Sequence, residues 1–186
     1  SAHIFNPSGL ALFVVAVGVL LTDSTDITWG QFIATTLNAP EHMFETLFLA
    51  GLVVQALFST TLVTMAAACT LWAGSVLWFQ VTGAWFFFDT HIPISVFLGL
   101  TLLITDPATS PRNRMGKVLF GVLYGLCVFP LWQILLFFGQ PTYFDKLLQV
   151  PLLNLCVPLL ERWGAAIERR MPTWESLLVL GRNSAH

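Results

Sequence analysis

The stretch 101-TLLITDPATSPRNRMGKVLF-120 ends one apolar run and begins another. Asp106 stops the first run, Pro107 and Pro111 bracket a short loop, and Arg112, Arg114 and Lys117 gather before the second. Two readings fit. In the first, the run before Asp106 is a helix broken at membrane depth, where irregular backbone is tolerated only if protein buries it or it borders a cavity. Broken helices of this kind form ion and substrate sites in transporters. In the second, Asp106 caps an ordinary turn and the three bases mark the cytoplasmic side of the membrane.

The rest of the composition places both readings in a bilayer. Of 186 residues, 56% are hydrophobic and 10% charged, and the mean hydropathy is +0.77. Soluble domains carry about 25% charged residues. Charge is also unevenly spread: all eight Lys and Arg lie in 112–186 with four acids, whereas 1–111 holds six acids and no base. Because Lys and Arg in short loops stay cytoplasmic, the loop 106–117 and the C-terminal segment are expected on the cytoplasmic face. The first apolar run lacks the flanks of a removable signal peptide. Cys69, Cys127 and Cys156 sit inside apolar runs without a CxxC pair, which predicts buried thiols rather than a disulfide or metal site.

Counting outward from the loop gives about six spans, since a helix needs about 20 apolar residues to cross. The first is 8–22, with Asn6-Pro7 setting a turn and Pro7 at the first helical positions. A linker, 27–44, carries Trp29 and Phe32 for the interface. The apolar stretch 44–83 is too long for one helix and divides near 59-STT-61. The fourth span, Pro93 to Thr105, is short: 13 residues reach about 20 Å against a core of about 30 Å. The fifth is 118–139, where Gly121 and Gly125 permit close helix contact. The sixth is 147–163, interrupted by Pro151 and Pro158. The expected fold is thus an all-α integral membrane protein, with a transmembrane domain over 1–164 and an amphipathic cytoplasmic tail over 165–186. An even span count puts both termini on the cytoplasmic side.

Signatures of soluble enzymes are missing: there is no GxGxxG, P-loop, HExxH or GxSxG. His3, His42, His91 and His186 lack a second His at helical spacing. Glu41 and Glu45 share a helical face, where like charges repel unless a cation or proton intervenes; an ion site and a solvated face both fit. The run Trp85, Phe86, Phe87 and Phe88 reads either as interface anchoring or as flanks for a cofactor ring.

The segment 105-TDPATSPRNRMGKVLFGVLYG-125, with Asn154 and Pro158 in 151-PLLNLCVPLLER-162, resembles the NqrB/RnfD family of membrane proteins. Its members serve the sodium-pumping NADH:quinone reductase (NqrB) and the Rnf complex (RnfD). The opening 3-HIFNPS-8 is similar to that family's H-x-F-N-P element. The runs 47-LFLAGLVVQALF-58, 87-FFDTHIPISVFLGL-100 and 143-YFDKLLQVPLLNL-155 resemble the UnbU-like branch of the same family. This resemblance implies a urea-transporter-like fold built from inverted repeats of about five helices, of which this chain has the length of one. It also implies partners: the other membrane subunits of a complex, or a second repeat, in the bacterial inner membrane, and no nucleic acid.

The family's flavin-bearing members attach FMN to a threonine in an S-G-A-T or D-G-A-T string. The nearest strings here, 33-IATT-36 and 107-PATS-110, do not match it. The resemblance therefore implies FMN or riboflavin, or a quinone, held without a covalent bond in a membrane subunit that is not catalytic on its own. Candidate cofactor residues are His3, Asn6, Thr105, Asp106 and Pro107, and Asp106, Glu41 and Glu45 are the candidate ion-binding acids coupled to cation movement. The alternatives are a non-redox scaffold subunit and half of a small-solute transporter.

Overall fold

The computed structural model describes residues 4–29, 43–87, 99, 100, 104 and 106–171. Five α-helices are present among them: α1 (Pro7–Leu21), α2 (Met43–Leu57), α3 (Thr61–Thr82), α4 (Arg114–Phe137) and α5 (Asp145–Arg170). Three helical stretches, Thr61–Thr82, Arg114–Phe137 and Thr142–Arg170, are long and apolar enough to cross a membrane. Among the described residues the helices are the regular elements, as in an all-α membrane protein. His3, Glu41, Thr105, Phe88, most of the expected short span 93–105 and the tail from 172 onward lie outside the described residues.

Local chemistry accounts for the helix ends. Asn6 caps α1, its side-chain oxygen accepting from the Ser8 and Gly9 amides at 3.0 and 3.3 Å, and Pro7 opens the helix as expected. The split of 44–83 falls where 59-STT-61 placed it. Ser59 turns left-handed (φ 57°), the Thr60 amide reaches back to the Gln55 carbonyl at 2.9 Å, and the Ser59 amide reaches Ala56 at 3.3 Å. This is a Schellman closure. Asp23 (φ 51°) ends α1 and Gly139 (φ 65°) ends α4 by the same pattern of bonds.

Two expectations fail. Pro151 and Pro158 do not interrupt the last span; α5 is one continuous helix through Arg170, and the first residues of the expected tail are part of it. A proline deletes a single intrahelical hydrogen bond, and in a membrane neighbouring groups can re-satisfy what it frees. The thiols also differ from expectation: Cys69 is exposed and Cys127 and Cys156 are only partly covered.

The helices pack in two seams. Along the first, α3 and α4 run parallel, for Gly121 faces Val63 and Ala67 while Gly125 faces Thr70 one turn further along both helices. Parallel neighbours require the chain to return from the end of α3 to the start of α4 between them. Along the second, α5 runs antiparallel to α4, with Gly164 against Gly116 at one end and Lys146 near Trp132 at the other. α1 lies against α5, with Gly9 beside Val150, and Ala16 joins Leu135 and Phe144 in a small core. Phe86 and Phe87 fill the main core, edge-on to each other at 5.0 Å and packed on Phe129 and Trp132. Their faces are taken by protein. Among the described residues, every base except Lys146 gathers at the end of the bundle where α3 and α4 begin, so the sequence asymmetry becomes a basic end of the molecule.

The α3–α4 seam leaves no room for a side chain. A Cβ on Gly121 would strike the Val63 carbonyl and come within 2.9 Å of the Ala66 Cβ, whereas one on Gly18 of α1 meets nothing within 4 Å. Overpacking of this kind costs about 1–3 kcal/mol. Gly121→Ala is therefore expected to lower the thermal unfolding temperature in detergent, and Gly18→Ala to leave it unchanged or raise it; equal effects would refute the seam.

Candidate functional site

The loop that follows Ile104 is self-capped. The Asp106 carboxylate accepts from the Ala108 amide at 3.0 Å and from the Thr109 hydroxyl at 3.1 Å, while its carbonyl accepts from the Ser110 amide and hydroxyl at 3.1 and 2.8 Å. Both carboxylate oxygens thus serve the turn, the bond pattern of the second reading of this loop. Further contacts fix the loop to α5. The Arg112 amide donates to the Glu161 carboxylate at 2.9 Å, and the Asn113 amide group donates to the Glu161 carbonyl at 2.7 Å. The first turn of α4 is then capped twice, by the Asn113 side chain on Gly116 and by the Glu168 carboxylate on the Met115 amide at 2.8 Å. Carboxylates at a helix N-terminus are favoured by the helix dipole.

This anchored loop borders a cavity of about 340 Å³ lined by Ile4, Ala108–Ser110, Arg112, Asn154, Val157, Pro158 and Glu161. Three parts of the chain far apart in sequence, at Ile4, 108–112 and 154–161, meet here. Ligand cavities begin at about 300 Å³. Asn154 is 4% exposed, and its side-chain nitrogen has no hydrogen-bond partner among the described residues. Four residues on, Pro158 has no N–H to give to the Asn154 carbonyl, which therefore lacks its usual intrahelical donor. A buried donor without a partner costs about 1–3 kcal/mol. The cavity wall therefore holds an unpartnered donor, framed by the apolar surfaces of Ile4, Val157 and Pro158.

Of the residues singled out in the sequence, Asp106 closes the loop, Asn6 caps α1, and Pro107 lines a neighbouring cavity on the other side of the loop. Glu45 lies in α2, with its side chain outside the described set.

A second polar group, which the sequence did not single out as a site, is buried between α4 and α5. Asp145 and Lys146 are 0% and 3% exposed, and the ammonium bonds the carboxylate at 2.5 Å. The Lys146 nitrogen also lies 5.7 Å from the centre of the Trp132 ring. Tyr124 of α4 is fully buried beside Gln149 and Asp145. Its hydroxyl, both Gln149 amide atoms, the free Asp145 oxygen and the Trp132 N–H all lack partners among the described residues. Gly99 fits against this cluster because it has no side chain; a Cβ there would lie 2.6 Å from the Tyr124 hydroxyl and 3.1 Å from Lys146 Cγ. Only the adjacency of an acid and a base at the start of an apolar run signals the pair in advance.

The chain is similar to the D subunits of two ion-translocating oxidoreductase complexes. It is 36% identical over 69 residues to that of Sodalis glossinidius, and 36% identical over 67 residues to that of Erwinia tasmaniensis. These stretches cover 37% and 36% of this chain and 18% of each relative, so the similarity spans less than a fifth of the relatives' length. Both relatives are D subunits of ion-translocating oxidoreductase complexes, and neither speaks for the UnbU-like branch. No family model matches the chain, and no solved structure matches it.

Breaking one side of a buried ion pair strands a charge in a low dielectric, at a cost of about 3–5 kcal/mol, whereas removing both charges is close to neutral. Lys146→Met is expected to destabilise the detergent-solubilised protein by that amount. The double variant Asp145→Asn/Lys146→Met is expected to recover most of the loss. Calorimetric unfolding of the single and double variants checks this, and a double variant no better than the single one would contradict a compensated pair.

Proposed function

We propose that the chain is a membrane subunit of an ion-translocating electron-transfer complex, and that the cavity between the 106–112 loop and α5 holds a flavin without a covalent bond. The observation that carries the flavin is the Asn154–Pro158 wall. It holds an unpartnered side-chain amide donor, on a residue whose carbonyl Pro158 deprives of its usual intrahelical donor. The imide edge of a flavin ring carries an N–H flanked by carbonyls and complements such a pair. A quinone ring offers carbonyls alone and would satisfy only the donor. Ile4, Val157 and Pro158 supply the apolar surfaces a flat ring needs.

Similarity to the two Rnf-type proteins supports the place of the chain in a redox complex, whose other membrane subunits are its partners. The bound ring would supply electron transfer. What this chain's residues contribute is orientation through Asn154, exclusion of water by the packed α5 wall, and a positive field from Arg112 on the ring's rim. Non-covalent binding accords with the Thr109 hydroxyl, which is 7% exposed as a residue and donates to Asp106 rather than standing free for attachment. Coupling to cation movement belongs to the same proposal, as a property of the assembled complex in the bacterial inner membrane.

The test is the visible absorption spectrum of the purified complex, before and after acid precipitation, with Asn154→Leu alongside. The reading expects a flavin band assigned to this chain that leaves with the acid supernatant and is lost in Asn154→Leu. A band that stays in the pellet would overturn non-covalent binding. Extracted quinone in place of flavin would reassign the ring. A complex with every partner cofactor present and nothing bound to this chain would make it a scaffold.

A further inference from the structure

A second cavity, of about 200 Å³, lies between the same loop and the α2–α3 turn, lined by Phe58, Thr60, Pro107, Ser110, Pro111, Arg112 and Lys117. Four features of it favour a negative ligand. First, it opens at the start of α3, a 22-residue helix whose first turn no side chain caps. Thr60 occupies the cap position in a helical rather than an extended conformation (φ −101°, ψ −2°), so its hydroxyl does not reach the first-turn amides. The positive end of the helix is left without its usual partner, and helix N-termini bind phosphate for this reason.

Second, the Thr60 hydroxyl itself is orphaned. The residue is 1% exposed, and its oxygen has no hydrogen-bond partner among the described residues. Third, two bases line the cavity and no acid does. The Lys117 ammonium is held at the turn by the Ser59 carbonyl at 2.6 Å, which a left-handed Ser59 directs toward it. Fourth, the acids of this region are occupied elsewhere: Asp106 within its turn, and Glu161 on the Arg112 amide. Phe58, 58% exposed, adds an apolar flank at the surface of the bundle.

We infer that this cavity is a phosphate-group site, built from the α3 N-terminus, the Thr60 hydroxyl, Lys117 and Arg112. Two sources share that chemistry: the headgroup of an anionic phospholipid, which basic pockets between membrane helices take up, and a soluble phosphate or phosphoester. The site lies across the loop from the flavin cavity and shares Ser110 and Arg112 with it, whereas Thr60 and Lys117 line this cavity and not the other.

The experiment follows the unfolding temperature of the full chain, stripped of lipid in a neutral detergent. The probes are phosphatidylglycerol, phosphatidylcholine as the zwitterionic control, and inorganic phosphate against chloride at equal ionic strength. A ligand that binds the folded state alone raises that temperature. The expected result is a rise of several degrees with phosphatidylglycerol or with inorganic phosphate, abolished in Arg112→Ala/Lys117→Ala and retained in Arg169→Ala/Arg170→Ala. A response to phosphatidylglycerol alone identifies a lipid headgroup, and a response to inorganic phosphate identifies a soluble source. Thr60→Val is expected to raise the ligand-free unfolding temperature, because it removes a buried hydroxyl without a partner, while reducing the ligand-induced rise. No response to either probe would overturn the site. So would a response that survives loss of Arg112 and Lys117, or one lost equally with Arg169 and Arg170, which would mean only general attraction to a basic surface.

Discussion

The close approach of α3 and α4 is the constraint on which the rest of the bundle rests. Water does not drive helices together inside lipid, so association there depends on backbone contact and on interhelical hydrogen bonds. Gly121 and Gly125 bring α4 onto the backbone of α3 at Val63 and Ala67. That contact fixes the two helices as parallel neighbours. Once they are parallel, the starts of both lie at one end of the molecule, and with them the α2–α3 turn, the 106–113 loop and, through Glu161 and Glu168, the far end of α5. The basic end of the protein and both cavities follow from one helix contact.

The same geometry explains why α5 carries so many polar groups along a buried face. Asp145, Lys146, Gln149 and Asn154 are all less than 5% exposed, although α5 belongs to a stretch apolar enough to cross a membrane. Ionisable groups at such depth are costly and are expected in pairs or at functional sites. Asp145 and Lys146 answer that cost by neutralising each other. Asn154 does not: its side-chain nitrogen has no partner among the described residues.

Much of this is legible in the sequence, and what is not shares one character. The helix break at 59-STT-61, the turn into a helix at Asn6-Pro7 and the small-residue seam at Gly121 and Gly125 are local patterns, and the structure has all three. Pro151 and Pro158 mislead because a proline's effect depends on what surrounds it, and α5 is supported on two sides by α1 and α4. The bonds that Glu161 and Glu168 make to the start of α4 come from about fifty positions away, which no cap pattern at 113–117 reveals. Asp145 and Lys146 stand side by side in the run 143–155, but adjacency in sequence does not show burial. The candidates His3, Glu41 and Thr105 fall outside the described residues.

The loop itself is where these features join. Rigid anchoring through Glu161 on one side and the Ser59–Lys117 bond on the other makes it a partition rather than a lid. Ser110 and Arg112 line both of the cavities it separates. Arg112 is held by its backbone amide, so its long side chain is the adjustable element, a single positive charge between two spaces. The polar stretch between two apolar runs is thus a wall with one positive residue bordering both of the spaces it separates.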